Sequence, residues 1–333
     1  MKRPRRLVML SVAGGIAVGA FAFAWLAYDR DLRRERARIA NSSQIAATRC
    51  GPIEFASAGR GPAVLLVHGA GGGFDQALDI ATELAAQGLR AISMSRFGYL
   101  RTPLPADASP AAQADAHACL LDALGIERAA IVGVSAGAPS SVQFALRHPQ
   151  RASALVLLVP LAYAPREAKP EPEMAPATRF MLEKAVRSDV LYWAALKGAP
   201  SLVVKTVLAT PPEVLAAASA QEQARARAVM QRLLPLSERK QGLLNDWAIG
   251  ATIVRYPLEH ITAPTLVVSL EDDLYGTFHS ARYTAAHIPG ARFVGYASGG
   301  HAWIGHHEEI FAQLVAFLGG GALLDRRDAD AAR

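Results

Sequence analysis

The chain has 333 residues, 51% of them apolar, with a formal net charge of +6. That composition excludes a disordered chain, and the length suits one large domain without repeats of fixed period. The charge is local: residues 1–38 hold nine basic and three acidic groups, and the rest of the chain holds 26 of each, which points to anionic lipid and not to nucleic acid as partner.

Leu7 to Tyr28 carry no charge. As a helix, residues 7–28 would span roughly 33 Å, the thickness of a bilayer's hydrocarbon core. Trp25 and Tyr28 stand at the far end, where amphipathic aromatics favour the headgroup zone. We read an N-terminal, single-pass transmembrane helix with membrane lipid as its partner. A cleaved signal peptide competes, because the basic start and the Ala-Phe-Ala runs within Ala20–Ala24 permit it. The apolar run is long for such a peptide and continues through Trp25 and Leu26. Basic residues flank both ends, so charge counting nearly cancels; the expected arrangement puts the catalytic domain on the non-cytoplasmic side. Residues 1–48 are then anchor and juxtamembrane segment, with a short polar helix within 29–48.

From about residue 50, short apolar strands alternate with helices. Ile53–Ala58 reads as a hairpin strand before a turn at Gly59–Pro62, and Ala63–Val67 as a strand. Asp75–Gln87 has helical spacing, capped by Gly88. Arg90–Ser95 is a strand. Ser109 and Pro110 fit the N-cap and first residue of a helix reaching Leu124 and ended by Gly125. Strand Ala129–Val134, helix Ala136–Arg147 and strand Ala154–Val159 follow. The alternation resumes with strand Thr265–Leu270, helix Tyr275–His287, strand Arg292–Ala297 and helix Glu308–Leu318. This order predicts an α/β fold: a mostly parallel sheet with helices on both faces. Its core comprises residues 49–163 and 247–318. Residues 164–246 show only helical patterns and read as a helical cap inserted between two strands, and 319–333 as a disordered tail. Cys50 and Cys119 read as two isolated thiols.

In such a sheet, ligands bind at the carboxyl ends of the strands. Gly133-Val134-Ser135-Ala136-Gly137 follows one strand and opens a helix, the setting in which a G-x-S-x-G turn lifts its serine above the sheet. Ser135 is the candidate nucleophile. His68-Gly69-Ala70-Gly71-Gly72-Gly73 follows another strand. One N–H from this loop, at Ala70, and one from Ala136 would form an oxyanion hole, with His68, Gly69 and Gly71 supporting the loop. A phosphate loop is disfavoured, because no Lys-Ser/Thr pair follows.

A serine needs a base, and the base an orienting carboxylate. Strand Thr265–Leu270 leads into Glu271, Asp272 and Asp273, and strand Arg292–Ala297 into Ser298-Gly299-Gly300-His301. Both lie on the rim that carries Ser135, in the chain order Ser, acid, His. Asp273 is the chosen acid, Asp272 the second choice, and His301 the base. His306 and His307 read as surface or capping residues, and with His301 they lack a metal-site spacing.

With these motifs in hand, residues 50–318 resemble the α/β-hydrolase superfamily. His68–Gly73 looks like its oxyanion loop and Gly133–Gly137 like its nucleophile turn. Ser95–Thr102 looks like its D-x-x-G-x-G-x-S stretch, with Ser95 in place of Asp. Pro264–Asp273 is similar to its acid-bearing stretch, with Leu270 in place of Gly, and Gly300-His301 to its base. The resemblance implies a hydrolase with no metal and no cofactor, and leaves the substrate open. Epoxide hydrolases and haloalkane dehalogenases are disfavoured, since they use Asp where this chain has Ser135. The expected function is a membrane-anchored carboxylic-ester hydrolase acting on a small lipophilic acyl substrate through an acyl-enzyme. C–C bond hydrolysis or perhydrolysis on the same triad, and non-catalytic binding on the same scaffold, are the alternatives.

Overall fold

Short apolar runs bounded by glycine turns build one eight-stranded sheet. The structure, a computed structural model, describes residues 3–165 and 188–331; of residues 3–14, 16, 17 and 320–331 it describes the backbone alone. Residues 1–41 form one compact unit and residues 42–333 another.

The first unit is a single helix, α1 (Arg3–Ala40). It runs unbroken through the arginine-rich stretch, where Arg33 and Asp29 pair at 2.9 Å and Arg38 and Glu35 at 2.7 Å, spacings that steady a helix. Among the described residues no helix is long and apolar enough to cross a membrane. The expected transmembrane helix at 7–28 is therefore not supported, and the side chains of residues 7–14, 16 and 17 lie outside the described residues.

The second unit holds strands β1 (Gln44–Thr48), β2 (Gly51–Ala58), β3 (Ala63–Val67), β4 (Arg90–Met94), β5 (Ala129–Val134), β6 (Ala152–Leu158), β7 (Thr265–Leu270) and β8 (Arg292–Tyr296). They lie in the order β1-β2-β4-β3-β5-β6-β7-β8. β1/β2 and β2/β4 are antiparallel, and all later pairs are parallel. β1 falls in the stretch expected as a juxtamembrane segment; it is short and begins and ends on the polar residues Gln44 and Thr48, as suits an edge strand. The helices of the core are α2 (Leu78–Ala86), α3 (Pro110–Ala123) and α4 (Ala138–Arg147).

The cap contributes α5 (Asp189–Gly198), α6 (Pro200–Thr206), α7 (Pro212–Ala217), α8 (Ala220–Arg232) and α9 (Lys240–Ala251); α10 (Thr277–His287) and α11 (His307–Ala331) complete the core. Residues 166–187 of the expected cap lie outside the described residues. The helical stretch outlasts its expected end at residue 246, and α11 crosses the expected start of a disordered tail at Gly319. Ala322, Leu323 and Leu324 beyond that point are good helix formers.

The central strands are buried on both faces, as a covered parallel sheet requires. Residues of α3, α4 and α10 pack on one face with Leu65, Ile131 and Leu155, and residues of α2 and α11 on the other with Leu66, Val132 and Val156. Each fully buried Leu or Ile contributes roughly 1.5–3 kcal/mol. Cys50, in the β1–β2 turn, and Cys119, on α3, are joined in a disulfide across Cα atoms 6.0 Å apart. This corrects the reading of two isolated thiols: the hairpin folds back over α3 and brings together residues 69 apart in sequence.

Candidate active site

The turn after β5 is tightly constrained. Ser135 has φ +49°, a left-handed conformation rare for a non-glycine residue. The turn is tight enough that a Cβ on Gly137 would strike the carbonyl oxygens of Val67 and His68, and one on Gly133 the side chain of Ser141. Gly69 comes so close that a Cβ there would lie 3.2 Å from Ser135 Cβ. The backbone thus holds the candidate nucleophile up at the rim, against the oxyanion loop.

The acid and base loops meet beside it. Asp273 Oδ2 lies 2.7 Å from His301 Nδ1. The Asp273 carboxylate is buried; its Oδ2 also accepts from Thr277 Oγ1, and its Oδ1 accepts from the Tyr275 N–H at 2.8 Å. Asp272 turns away and accepts from the N–H groups of Gly299 and Gly300, at 3.0 and 2.7 Å. It therefore shapes the turn before His301 and does not touch the imidazole. Gly300 has φ +63°, and a Cβ there would collide with Thr210 of the cap. Tyr275 stands edge-on to His301 at 4.9 Å between ring centres.

Ser135, His301, Ala70 and His68 line one cavity. Its apolar wall comes from Ile80 and Val132 of the core, Val207, Leu208, Val229 and Leu233 of the cap, and Trp303. Of the apolar cap residues that the sequence offers as pocket candidates (Met181, Leu191, Trp193, Leu202, Val203 and Leu208), only Leu208 lines it among the described residues. Leu191 and Leu202 are exposed, and Met181 lies outside the described residues. His307, which reads from the sequence as a surface or capping residue, is the first residue of α11; it lines the cavity and pairs with Glu83 at 3.2 Å.

The oxyanion loop is held from behind. His68 is fully buried; its Nε2 accepts from the Arg96 N–H at 3.0 Å, and its Nδ1 donates to Gly69 O at 2.7 Å. Burial first, and the Arg96 charge second, push its pKa well below the ordinary histidine value, so it is a neutral strut with both nitrogens engaged. The N–H of Gly69 donates to Gln76 Oε1 at 2.8 Å and that of Gly71 to Tyr99 Oη at 3.1 Å. Among the described residues, neither Ala70 nor Ala136 gives its N–H to a backbone carbonyl outside its own helix or strand.

Several supporting residues carried no sequence signal. Where the resembling stretch has Asp, this chain has Ser95, and the structure supplies a carboxylate from the neighbouring strand. Buried Glu54 of β2 accepts from Ser95 Oγ at 2.9 Å, Ser43 Oγ at 2.7 Å and Arg101 Nε at 2.7 Å. Leu270, in place of the usual Gly, sits against Gly299. Arg96 with Asp246 and Arg239 with Asp75 form buried ion pairs behind the loop, and the Tyr99 hydroxyl donates to Asp246. Among the described residues no group of three or more His, Cys, Asp or Glu side chains could hold a metal ion.

The sequence profile of the alpha/beta hydrolase fold matches residues 62–305. The chain belongs to this family. As an α/β hydrolase it is 33% identical over 247 residues to the protein named "Putative carbamate hydrolase RutD" of Klebsiella pneumoniae (strain 342), covering 72% of this chain and 85% of that one. Among solved structures it is similar to an alpha/beta hydrolase fold protein from Nakamurella multipartita, with TM-score 0.69, 32% identity, and 84% and 99% of the two chains covered. A bacterial membrane phospholipase A is 20% identical at TM-score 0.62 over 95% of this chain and 98% of that one, a likeness of fold alone.

Proposed function

We propose that this α/β hydrolase is a serine hydrolase of carboxylic esters, acting through Ser135, His301 and Asp273. The observation that carries the reading is the 2.7 Å contact of Asp273 with His301 Nδ1, in a cavity that Ser135 also lines. A carboxylate at Nδ1 selects the tautomer whose Nε2 can accept the Ser135 proton. Ser135 Oγ adds to the acyl carbon while His301 takes its proton. The N–H groups of Ala70 and Ala136 receive the developing oxyanion. The adduct expels the alcohol, which leaves with the proton from His301. Water, deprotonated by His301, then attacks the acyl-enzyme and releases the acid. These steps use no metal or cofactor. The apolar wall, to which the cap adds Val207, Leu208, Val229 and Leu233, favours a lipophilic acyl group.

Turnover of p-nitrophenyl esters of graded chain length tests this. In Ser135→Ala, kcat should fall by about 10⁴-fold or more; wild-type activity in that variant would overturn the proposal. The RutD relative favours a second reading, in which the acyl carbon belongs to a carbamate. The same triad serves both, and the kcat/KM ratio for a phenyl carbamate against a phenyl ester separates them.

Lipid is the proposed partner of residues 7–28. The uncharged run supports it, as do the exposed side chains of Phe21, Phe23, Trp25 and Leu26. The Cys50–Cys119 bond supports a place for the hydrolase unit on an oxidising, non-cytoplasmic side. Protease added outside right-side-out vesicles should then cut this unit, and its protection would contradict the arrangement.

A further inference from the structure

The oxyanion loop carries Gly69, Gly71, Gly72 and Gly73, so its own backbone offers little resistance to movement. Stiffness reaches it from the cap. Arg239, the residue before α9, is fully buried. Its Nη1 donates to Gly72 O at 2.5 Å and to Asp75 Oδ1 at 2.9 Å, and its Nη2 to Asp75 Oδ2 at 2.8 Å. Asp246 lies two turns further along, on the same side of α9. It accepts from Arg96 Nη1 at 2.7 Å, Arg96 Nη2 at 2.6 Å and Tyr99 Oη at 2.5 Å.

Arg96 and Tyr99 pass this grip to the loop. Arg96 Nη2 donates to Gly69 O at 3.3 Å, its N–H donates to His68 Nε2, and Tyr99 Oη accepts from the Gly71 N–H. The backbone on both sides of Ala70 therefore ends on charges set by one cap helix. A buried ion pair is seldom more stabilising than apolar side chains of the same volume. Two of them converging on one glycine-rich loop are better explained by the rigid placement they give it.

We propose that Arg239 and Asp246 are positioning residues for the oxyanion hole: from the cap, they set the direction of the Ala70 N–H. This inference rests on the serine-hydrolase reading. It makes the cap part of the catalytic geometry as well as a wall of the substrate cavity.

The test compares Asp246→Asn, Tyr99→Phe, Arg239→Lys and Arg239→Met with wild type. For each protein shown by circular dichroism to be folded at the assay temperature, kcat and KM for a p-nitrophenyl ester are measured, together with the rate of labelling by a fluorophosphonate. In Asp246→Asn and Tyr99→Phe, kcat and the labelling rate should both fall roughly tenfold or more, with KM within about twofold of wild type. Arg239→Lys, which keeps the charge but not the fork, should retain more activity than Arg239→Met. Tyr99→Phe removes one hydroxyl and is the least disruptive change. If it folds and keeps wild-type kcat and labelling rate, or if its loss lies wholly in KM, the inference is wrong. If the wild-type protein is not labelled at Ser135, the hydrolase reading itself fails, and this inference falls with it.

Discussion

The rim of the sheet and the cap reach the same cavity by different physics. On the rim, each candidate side chain follows closely on a strand: Ser135 directly after β5, Asp273 just past β7 and His301 just past β8. Local backbone geometry places them, through a positive φ at Ser135 and glycine turns before His301. The cap works through side chains. Arg239 and Asp246 meet partners 164 and 150 residues away and are held by buried charge. The candidate reacting groups are thus set by short turns, and the groups that meet the oxyanion loop from the cap by long-range packing.

The rim half of this comparison breaks most readily at the acid. Asp273→Asn keeps the shape but loses the preference for the working tautomer, and kcat should fall about 10⁴-fold. Asp272→Asn touches only the turn before His301 and should cost about tenfold or less, the worth of one charge-assisted hydrogen bond. Equal losses in ester turnover would remove the distinction between the two acids. On the cap side, Arg239→Met removes the Arg239 charge that buried Asp75 meets. Urea unfolding should show a loss of about 3–5 kcal/mol, largely recovered when Asp75→Leu is added. A loss below about 1 kcal/mol in the single variant would mean that the pair is solvated and does not bind the cap to the loop.

A pH dependence sharpens the rim's side. His117, behind the nucleophile turn, contacts Ser140 Oγ at 3.1 Å. Burial first, then the charge of Arg96, push its pKa down to about 3, and His68 is lowered for the same two reasons. The unfolded histidines titrate near 6.5, so below that pH the unfolded chain takes up protons that the native state refuses. Their contribution is fully present above about pH 6.5 and is lost as the pH falls. The slope is at most about 1.4 kcal/mol per pH unit for each histidine. Urea midpoints at pH 7, 6 and 5 should decline accordingly, and His117→Gln should reduce the slope. A flat profile would show that neither ring is held neutral.

This division explains what could be read from the sequence. β3, β5 and β7 begin and end where the apolar runs placed them, because a doubly covered parallel strand has no polar face to blur its limits. β1 was illegible: Gln44–Thr48 is an edge strand with an exposed face. The positions of Ser135, Asp273 and His301 were legible because turn chemistry and chain order are local patterns. Glu54, Arg96, Tyr99, Arg239 and Asp246 were not, because a buried charge is recognised only by the partner it meets in space. The disulfide was missed for the same reason, since nothing between Cys50 and Cys119 announces that the hairpin crosses α3.

The pairing of cap with loop bears on how such a hydrolase can change its substrate. A cap grafted from a relative to alter specificity must bring an arginine and an aspartate to positions 239 and 246, or else replace Asp75 and Arg96 in the recipient. These four sites should therefore be inherited together, although they lie in separate segments of the chain.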